Sequence, residues 1–270
     1  VSFFSNITLG QYYPGNSFIH RLDPRAKLLA MPLIMAGILL AQGPIGYTVA
    51  SLPPIVGYAL AQVPLSALWR GMRLLWFFLI FSLALQALTY PGEPLWEWGI
   101  ITISREGLLL GLRLIYRLAL LVLTAMLLTT TTTPVNLTGA MERLLKPLKR
   151  LGVPVHELAM MMTIALRFVP TLLEEAEVVM KAQQARGGSF TSGSVEKRVR
   201  AATALLVPLL AGSLRRAEEL AIAMEARCYR GDNGRTKLKQ FQYNYQDYAT
   251  LISLVAITII VGLERWTNLL

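Results

Sequence analysis

Two short stretches carry the residue types with the clearest chemical purpose, Ala185-Arg186-Gly187 and Ala226-Arg227-Cys228. Each places a guanidinium, a planar fork of donors suited to carboxylates and carbonyls, just beyond small residues. Ala182 and Ala223 stand three positions before Ala185 and Ala226, and residues three apart share one face of a helix. Such an Ala-x-x-Ala strip lets a second backbone come close, and the arginine beyond it can fork onto what approaches. The two stretches lie 41 positions apart, and their surroundings match as well. Val169-Pro170 and Ala176-Glu177 precede the first, and Val207-Pro208 and Ala217-Glu218 the second, with seven residues between Ala-Glu and Ala-Arg each time. This repetition predicts two similar docking surfaces.

Chemistry of other kinds is not encoded in recognisable form. There is no Gly-x-x-x-x-Gly-Lys phosphate loop, and Gly92, Gly187 and Gly188 are not followed by Lys-Ser or Lys-Thr. His156-Glu157 has no second histidine one turn on, so the helical zinc-protease pattern is missing. No serine sits in a Gly-x-Ser-x-Gly elbow. One cysteine excludes a disulfide framework, and two histidines leave little for a metal site. A non-enzymatic role with no metal and no cofactor on this chain is expected.

The elements that must hold the two arginines are long helices. Periodicity predicts one from Val155 to Gln184 and another from Val195 to Arg227, separated by a Gly- and Ser-rich breaker at 187–194. A shorter helix is predicted from Leu137 to Leu145, stopping before Pro147. Both long helices begin strongly apolar. Arg167 interrupts the first, with Glu174, Glu175 and Glu177 close behind, so both read as helices on a membrane surface or in a protein groove.

The rest of the chain is apolar. Hydrophobic residues make up 54% and charged residues 16%, against roughly 25% charged in soluble domains. Runs at 26–42, 45–63, 74–90, 118–133 and 248–263 hold no charge except Lys27. A span needs roughly 20 residues, so about five spans are expected, with Pro32 and Pro53-Pro54 as kinks. The first 25 residues lack the apolar core and cleavage site of a secretory leader. Net charge is +10, and about +7 of it falls between Pro134 and Asn244, which holds 17 Lys or Arg against 10 acids. Positive-inside bias and anionic headgroups account for residues such as Lys146, Lys149 and Arg150. No aromatic-interleaved basic motif points to nucleic acid. Arg21, Arg25, Lys27, and a turn carrying Arg70 and Arg73 put the amino terminus and 134–244 in the cytoplasm and the carboxy terminus outside. Thr129 to Thr133 read as the end of a span, their hydroxyls bonding one turn back. Arg113 and Arg117 read as snorkelling to headgroups rather than holding an anion.

At these residues the chain resembles the transmembrane (T) component of energy-coupling factor (ECF) transporters, prokaryotic importers of vitamins and metal cofactors, over nearly its whole length. The resemblance rests on His20-Arg21-Leu22-Asp23-Pro24-Arg25-Ala26-Lys27-Leu28, the apolar spans, the two long helices and above all the paired motifs, the second continuing as Tyr229-Arg230-Gly231. Cys228 replaces the family's usual glycine. The resemblance implies an all-α membrane protein with N-terminal transmembrane helices (1–133), a cytoplasmic coupling module (134–244) and a C-terminal transmembrane helix (245–270). It implies that Ala185, Arg186, Gly187, Ala226, Arg227 and Cys228 dock two ATP-binding-cassette ATPases, which use ATP and Mg. It also implies a small membrane-embedded substrate-binding S component against the apolar parts of the helices. Met160, Met161, Met162, Leu205 and Leu209 are the candidate contacts there, and a plain core-filling role for the methionines stays open. Alternatives are a pore-forming permease of a conventional importer, a membrane-anchored scaffold, or an autonomous secondary transporter; the last would need mid-membrane carboxylates, which the five runs lack.

Overall fold

The computed structural model describes residues 12–98, 101–187, 194–231 and 241–267. Among these, one compact unit takes residues 12–98, 101–140 and 241–267, and a second takes residues 141–187 and 194–231.

The first unit is built from α1 (Phe18–Arg21), α2 (Pro24–Leu40), α3 (Pro44–Ala61), α4 (Leu65–Thr89), α5 (Arg105–Thr131), the start of α6 (Pro134–Leu145) and α9 (Tyr245–Thr267). Proline begins α2, α3 and α6, where its missing N–H costs nothing. A core of Ile34, Ile38, Ala41, Ala50, Leu120, Leu254 and Val261 joins α2, α3, α5 and α9. The α4–α5 pair packs closely because Gly107 and Gly111, four apart, let the backbones meet. A Cβ on Gly111 would lie 2.7 Å from Leu83 Cδ1, and one on Gly107 would strike the Gln86 carbonyl. Much of the apolar surface stays outside: Phe77, Phe78, Phe81 and Leu263 are each more than half exposed, a surface suited to lipid rather than water.

A polar knot ties the start of α2 to that of α9 and the end of α5. Asp23 caps α2 by accepting the Arg25 N–H at 2.8 Å, and the Arg25 guanidinium returns to the same carboxylate at 2.8 Å. Asp247, 1% exposed, accepts the Asp23 N–H and the Asn244 N–H, both at 2.8 Å. Lys27 Nζ donates to the Thr131 carbonyl at 2.9 Å, placing a cation on the free carbonyls that end α5. The Arg25 guanidinium lies 4.1 Å from the Tyr243 ring centre, and burial pushes the Tyr243 phenol upward.

Several sequence expectations change here. By length and composition, three described helices can cross a membrane, α5, α7 (Val155–Ala185) and α9; a fourth comes from α4 if its two parts, bent by 56°, count as one. Of the five apolar runs expected to span, the first two fall short of this length and apolarity among the described residues. The first two runs form helices of 17 and 18 residues with internal prolines, only about 26 and 27 Å long at 1.5 Å per residue. Conversely α7, expected not to span, reaches span length and apolarity. Arg70 and Arg73 sit inside α4, which starts right after Pro64, and not in a turn. Two antiparallel strands, β1 (Pro94–Trp98) and β2 (Ile101–Ser104), lie between α4 and α5, and every other element among the described residues is helical. Arg117 turns inward and donates to the Ala41 carbonyl at 2.8 Å and the Tyr47 hydroxyl at 2.7 Å, so it does not snorkel. The threonines behave as expected, Thr130 and Thr131 bonding to the Met126 and Leu127 carbonyls one turn back.

In the second unit, the end of α6 passes through a 3-10 turn (Lys146–Leu151) into α7, and α8 (Val195–Ala226) follows. The helix limits fall within a residue or so of those read from the Gly-Ser breaker and the two arginine motifs. Pro170 and Pro208 lie inside α7 and α8.

Candidate functional site

The two arginines occupy the same place in the two helices: each is the C-cap residue that ends its element. Arg186 has φ −85° and ψ 9°, and Arg227 has φ −93° and ψ 17°. The next residue enters the left-handed region in both, Gly187 at φ +86° and Cys228 at φ +56°. At α8 the Cys228 N–H donates to the Glu225 carbonyl at 2.8 Å and the Tyr229 N–H to the Met224 carbonyl at 3.1 Å. This pair is the Schellman arrangement that satisfies the last carbonyls of a helix. At α7 the Gly187 N–H donates to the Gln184 carbonyl at 3.0 Å in the corresponding way. Cysteine in place of glycine therefore does not change the course of the chain after Arg227. It places a side chain where L residues are strained.

Around each cap the surface is open. Ala182, Ala185, Arg186 and Gly187 are exposed, as are Ala223, Ala226, Arg227 and Cys228. Neither guanidinium takes a hydrogen-bond partner among the described residues. Each tip thus offers a bare alanine strip with an unengaged cation at its end, an arrangement that can receive a helix or loop bearing acidic groups or free carbonyls.

The apolar candidates are placed less evenly. Met161 and Met162 are 55% and 53% exposed, whereas Met160, Leu205 and Leu209 are half-buried. On α8 the outward face instead carries Leu206, Val207, Leu210 and Leu214, one position on from the two leucines chosen by sequence.

Two polar contacts that sequence reasoning passed over hold the two helices. Glu175 of α7 accepts from Arg216 Nη2 of α8 at 2.8 Å. Gly212 lies opposite the same carboxylate, a Cβ there being 3.6 Å from Glu175 Oε1. Nearer the second tip, His156 Nδ1 lies 3.0 Å from Glu142 Oε1 and its Nε2 lies 3.4 Å from the Tyr229 hydroxyl. The histidine thus sits between α6, the start of α7 and the residue just past the α8 cap. For the first contact, the offset of 41 between residues 175 and 216 equals that of the two motifs, although an equal offset does not by itself say that the side chains meet. No sequence signal marks the second.

Among the described residues no group of three His, Cys, Asp or Glu is placed to hold a metal ion.

Known proteins resemble this chain along nearly its whole length. The cobalt transport protein family (CbiQ) matches residues 15–238. An energy-coupling factor transporter transmembrane protein, EcfT, of Acidaminococcus fermentans is 48% identical over 262 residues, covering 97% of this chain and 98% of its own. The proteins of the same name from Ruminiclostridium cellulolyticum and Bacillus subtilis are each 43% identical, covering 96% of this chain and 97% and 98% of theirs. A full-length likeness of this size, on a multi-pass apolar chain ending two long helices in matched arginine caps, settles the family: the chain belongs to the energy-coupling factor transporter transmembrane proteins, the membrane component of a multi-subunit transporter.

Proposed function

We propose that the chain is the non-catalytic scaffold of an ECF-type importer driven by two ATP-binding-cassette ATPases. The observation that carries this reading is the matched pair of exposed caps, with the same backbone conformation at Arg186 and Arg227. Two equivalent surfaces fit two equivalent or homologous partners. Ala185, Arg186 and Gly187 receive one ATPase, and Ala226, Arg227 and Cys228 the other, each guanidinium forking onto carboxylates or helix-terminal carbonyls in a groove. ATP and Mg belong to those partners, and this chain carries no cofactor. ATP binding draws the ATPases together and displaces the two tips.

The exposed apolar parts of α7 and α8 pass that displacement to a small membrane-embedded S component, which binds the micronutrient and reorients. Met161 and Met162 are the most accessible of the named contacts, and methionine surfaces adapt to a partner that changes its pose. The coupling module, 134–244, faces the cytoplasm of a prokaryotic cell, the amino terminus lies on the same side and the carboxy terminus outside, in keeping with the basic excess of that segment. Helix α7 has the length and apolarity of a span, but Arg167 and the carboxylates Glu174, Glu175 and Glu177 suit it to the membrane surface. Substrate choice rests with the S component.

The test is the composition of the complex. After gentle solubilisation, mass spectrometry of the purified assembly is expected to find this chain with two ATPase subunits and one small apolar protein. A chain that purifies alone, or as a homodimer forming its own path, would overturn the reading.

A further inference from the structure

We propose that Glu175 and Arg216 are positioning residues that mark the pseudo-two-fold axis of the α7–α8 pair and hold the two arginine tips at equal reach. The inference rests on the docking role proposed above and extends it to the part of the helices between the tips.

In the sequence repeat, Ala176-Glu177 corresponds to Ala217-Glu218 and Arg186 to Arg227, all offset by 41. The residues just before Ala176 and Ala217 are Glu175 and Arg216, so these two positions are themselves equivalents. In a two-fold arrangement, only a residue on the axis meets its own counterpart. The Glu175–Arg216 bond at 2.8 Å joins two counterparts. The axis therefore passes through this contact. From it, each tip lies eleven residues on, a helical arm of about 17 Å at 1.5 Å per residue.

The chemistry at the axis has diverged as such a position requires. Identical residues would place two like charges in contact, whereas a glutamate facing an arginine attracts. The pair is also incompletely used. Glu175 Oε2 and Arg216 Nη1 are shielded from solvent and take no hydrogen-bond partner among the described residues, so one bond of a possible two-bond fork is made. Gly212 leaves room beside the carboxylate. The pair can pass between one-bond and two-bond geometry as the helices turn, keeping the crossing point while the arms move. Side chains 34% and 30% exposed make it a setter of register rather than a main source of stability.

The test measures tip separation directly. The full-length chain in nanodiscs is spin-labelled at native Cys228 and at Gln184→Cys, both exposed, and the distance distribution is recorded by pulsed electron resonance. Glu175→Arg and Arg216→Glu each put like charges on the axis and are expected to broaden the distribution about twofold, while the double exchange narrows it again. Glu175→Gln, nearly isosteric, guards against misfolding and is expected to broaden it less. Equal distributions in all variants, or a double exchange as broad as the singles, would overturn the proposal. No ATPase enters this measurement, so failure of the docking reading and failure of this one are separable. In proteoliposomes of the complete complex, uptake per ATP hydrolysed is expected to fall about fivefold in each single variant and recover in the exchange, with both ATPases retained. Unchanged uptake per ATP in the singles, or loss of an ATPase from them, would also overturn it.

Discussion

Replacing Cys228 by glycine removes a side chain from a helix cap whose backbone stands at φ +56°. For an L residue the left-handed conformation costs about 1–2 kcal/mol. Glycine gives back about 0.4–1 kcal/mol of that advantage through its greater freedom in the unfolded chain. The net expectation is a cap more stable by about 0.5–1 kcal/mol, a factor of about 2–5 in its opening equilibrium. The bonds affected are those ending α8: Arg227 N–H to Met224, Cys228 N–H to Glu225 and Tyr229 N–H to Met224. Hydrogen–deuterium exchange of a peptide covering residues 222–231 reads this locally, with protection expected to rise two- to fivefold. Gly187→Cys supplies the mirror experiment at the other tip. There φ is +86° and nothing lies within 4 Å of an added Cβ, so only backbone strain acts and protection should fall by a similar factor. Recovery of associated ATPases should be unchanged by Cys228→Gly, since the direction of the chain after Arg227 is retained. Lower protection in Cys228→Gly would refute the reasoning, because the thiol would then be making contacts worth more than the strain it brings.

Two further substitutions test the first unit. Asp247→Asn keeps the shape of a buried residue but gives up the charge that accepts two backbone N–H groups at 2.8 Å; a loss of about 1–3 kcal/mol is expected, seen as a thermal midpoint several degrees lower in detergent, and an unchanged midpoint would contradict it. Gly111→Leu drives a side chain into Leu83 at the α4–α5 contact and should cost about 1–3 kcal/mol or more through overpacking, whereas Gly262→Leu, with nothing within 4 Å of its added Cβ, should leave the midpoint in place.

How much of this was readable beforehand depends on how local each cause is. The limits of α7 and α8 follow from a Gly-Ser breaker and from arginine motifs that end helices, so the sequence showed them to within a residue or two. The likeness of the two arginine tips was legible too, but not their cap conformation, which Cys228 hides where a glycine would announce it. The strand pair lies between two apolar runs where only a connection was expected, although Trp96-Glu97-Trp98 and Ile101-Thr102-Ile103 alternate as strands do. Arg70 and Arg73 were placed in a turn because basic residues flank spans, but charge alone does not end a helix, and Pro64 was the better boundary. Arg117 could not be oriented by spacing, since its partners Ala41 and Tyr47 lie 76 and 70 positions away. The Asp23–Asp247 contact, 224 positions apart, lies equally beyond local pattern. Glu175 and Arg216 occupy two copies of one repeat position, but an equal offset does not by itself say that the two side chains meet.

If Arg186 and Arg227 each hold one ATPase, as proposed, recovery of those subunits with a charge-reversed chain reads both contacts at once. Arg186→Glu combined with Arg227→Glu turns each exposed cation into an anion facing the carboxylates or carbonyls of its groove. Affinity purification of the tagged double variant from membranes containing the whole complex should recover neither ATPase, while each single change weakens recovery more mildly. Undiminished recovery of both ATPases with the double variant would show that the two caps do not hold them.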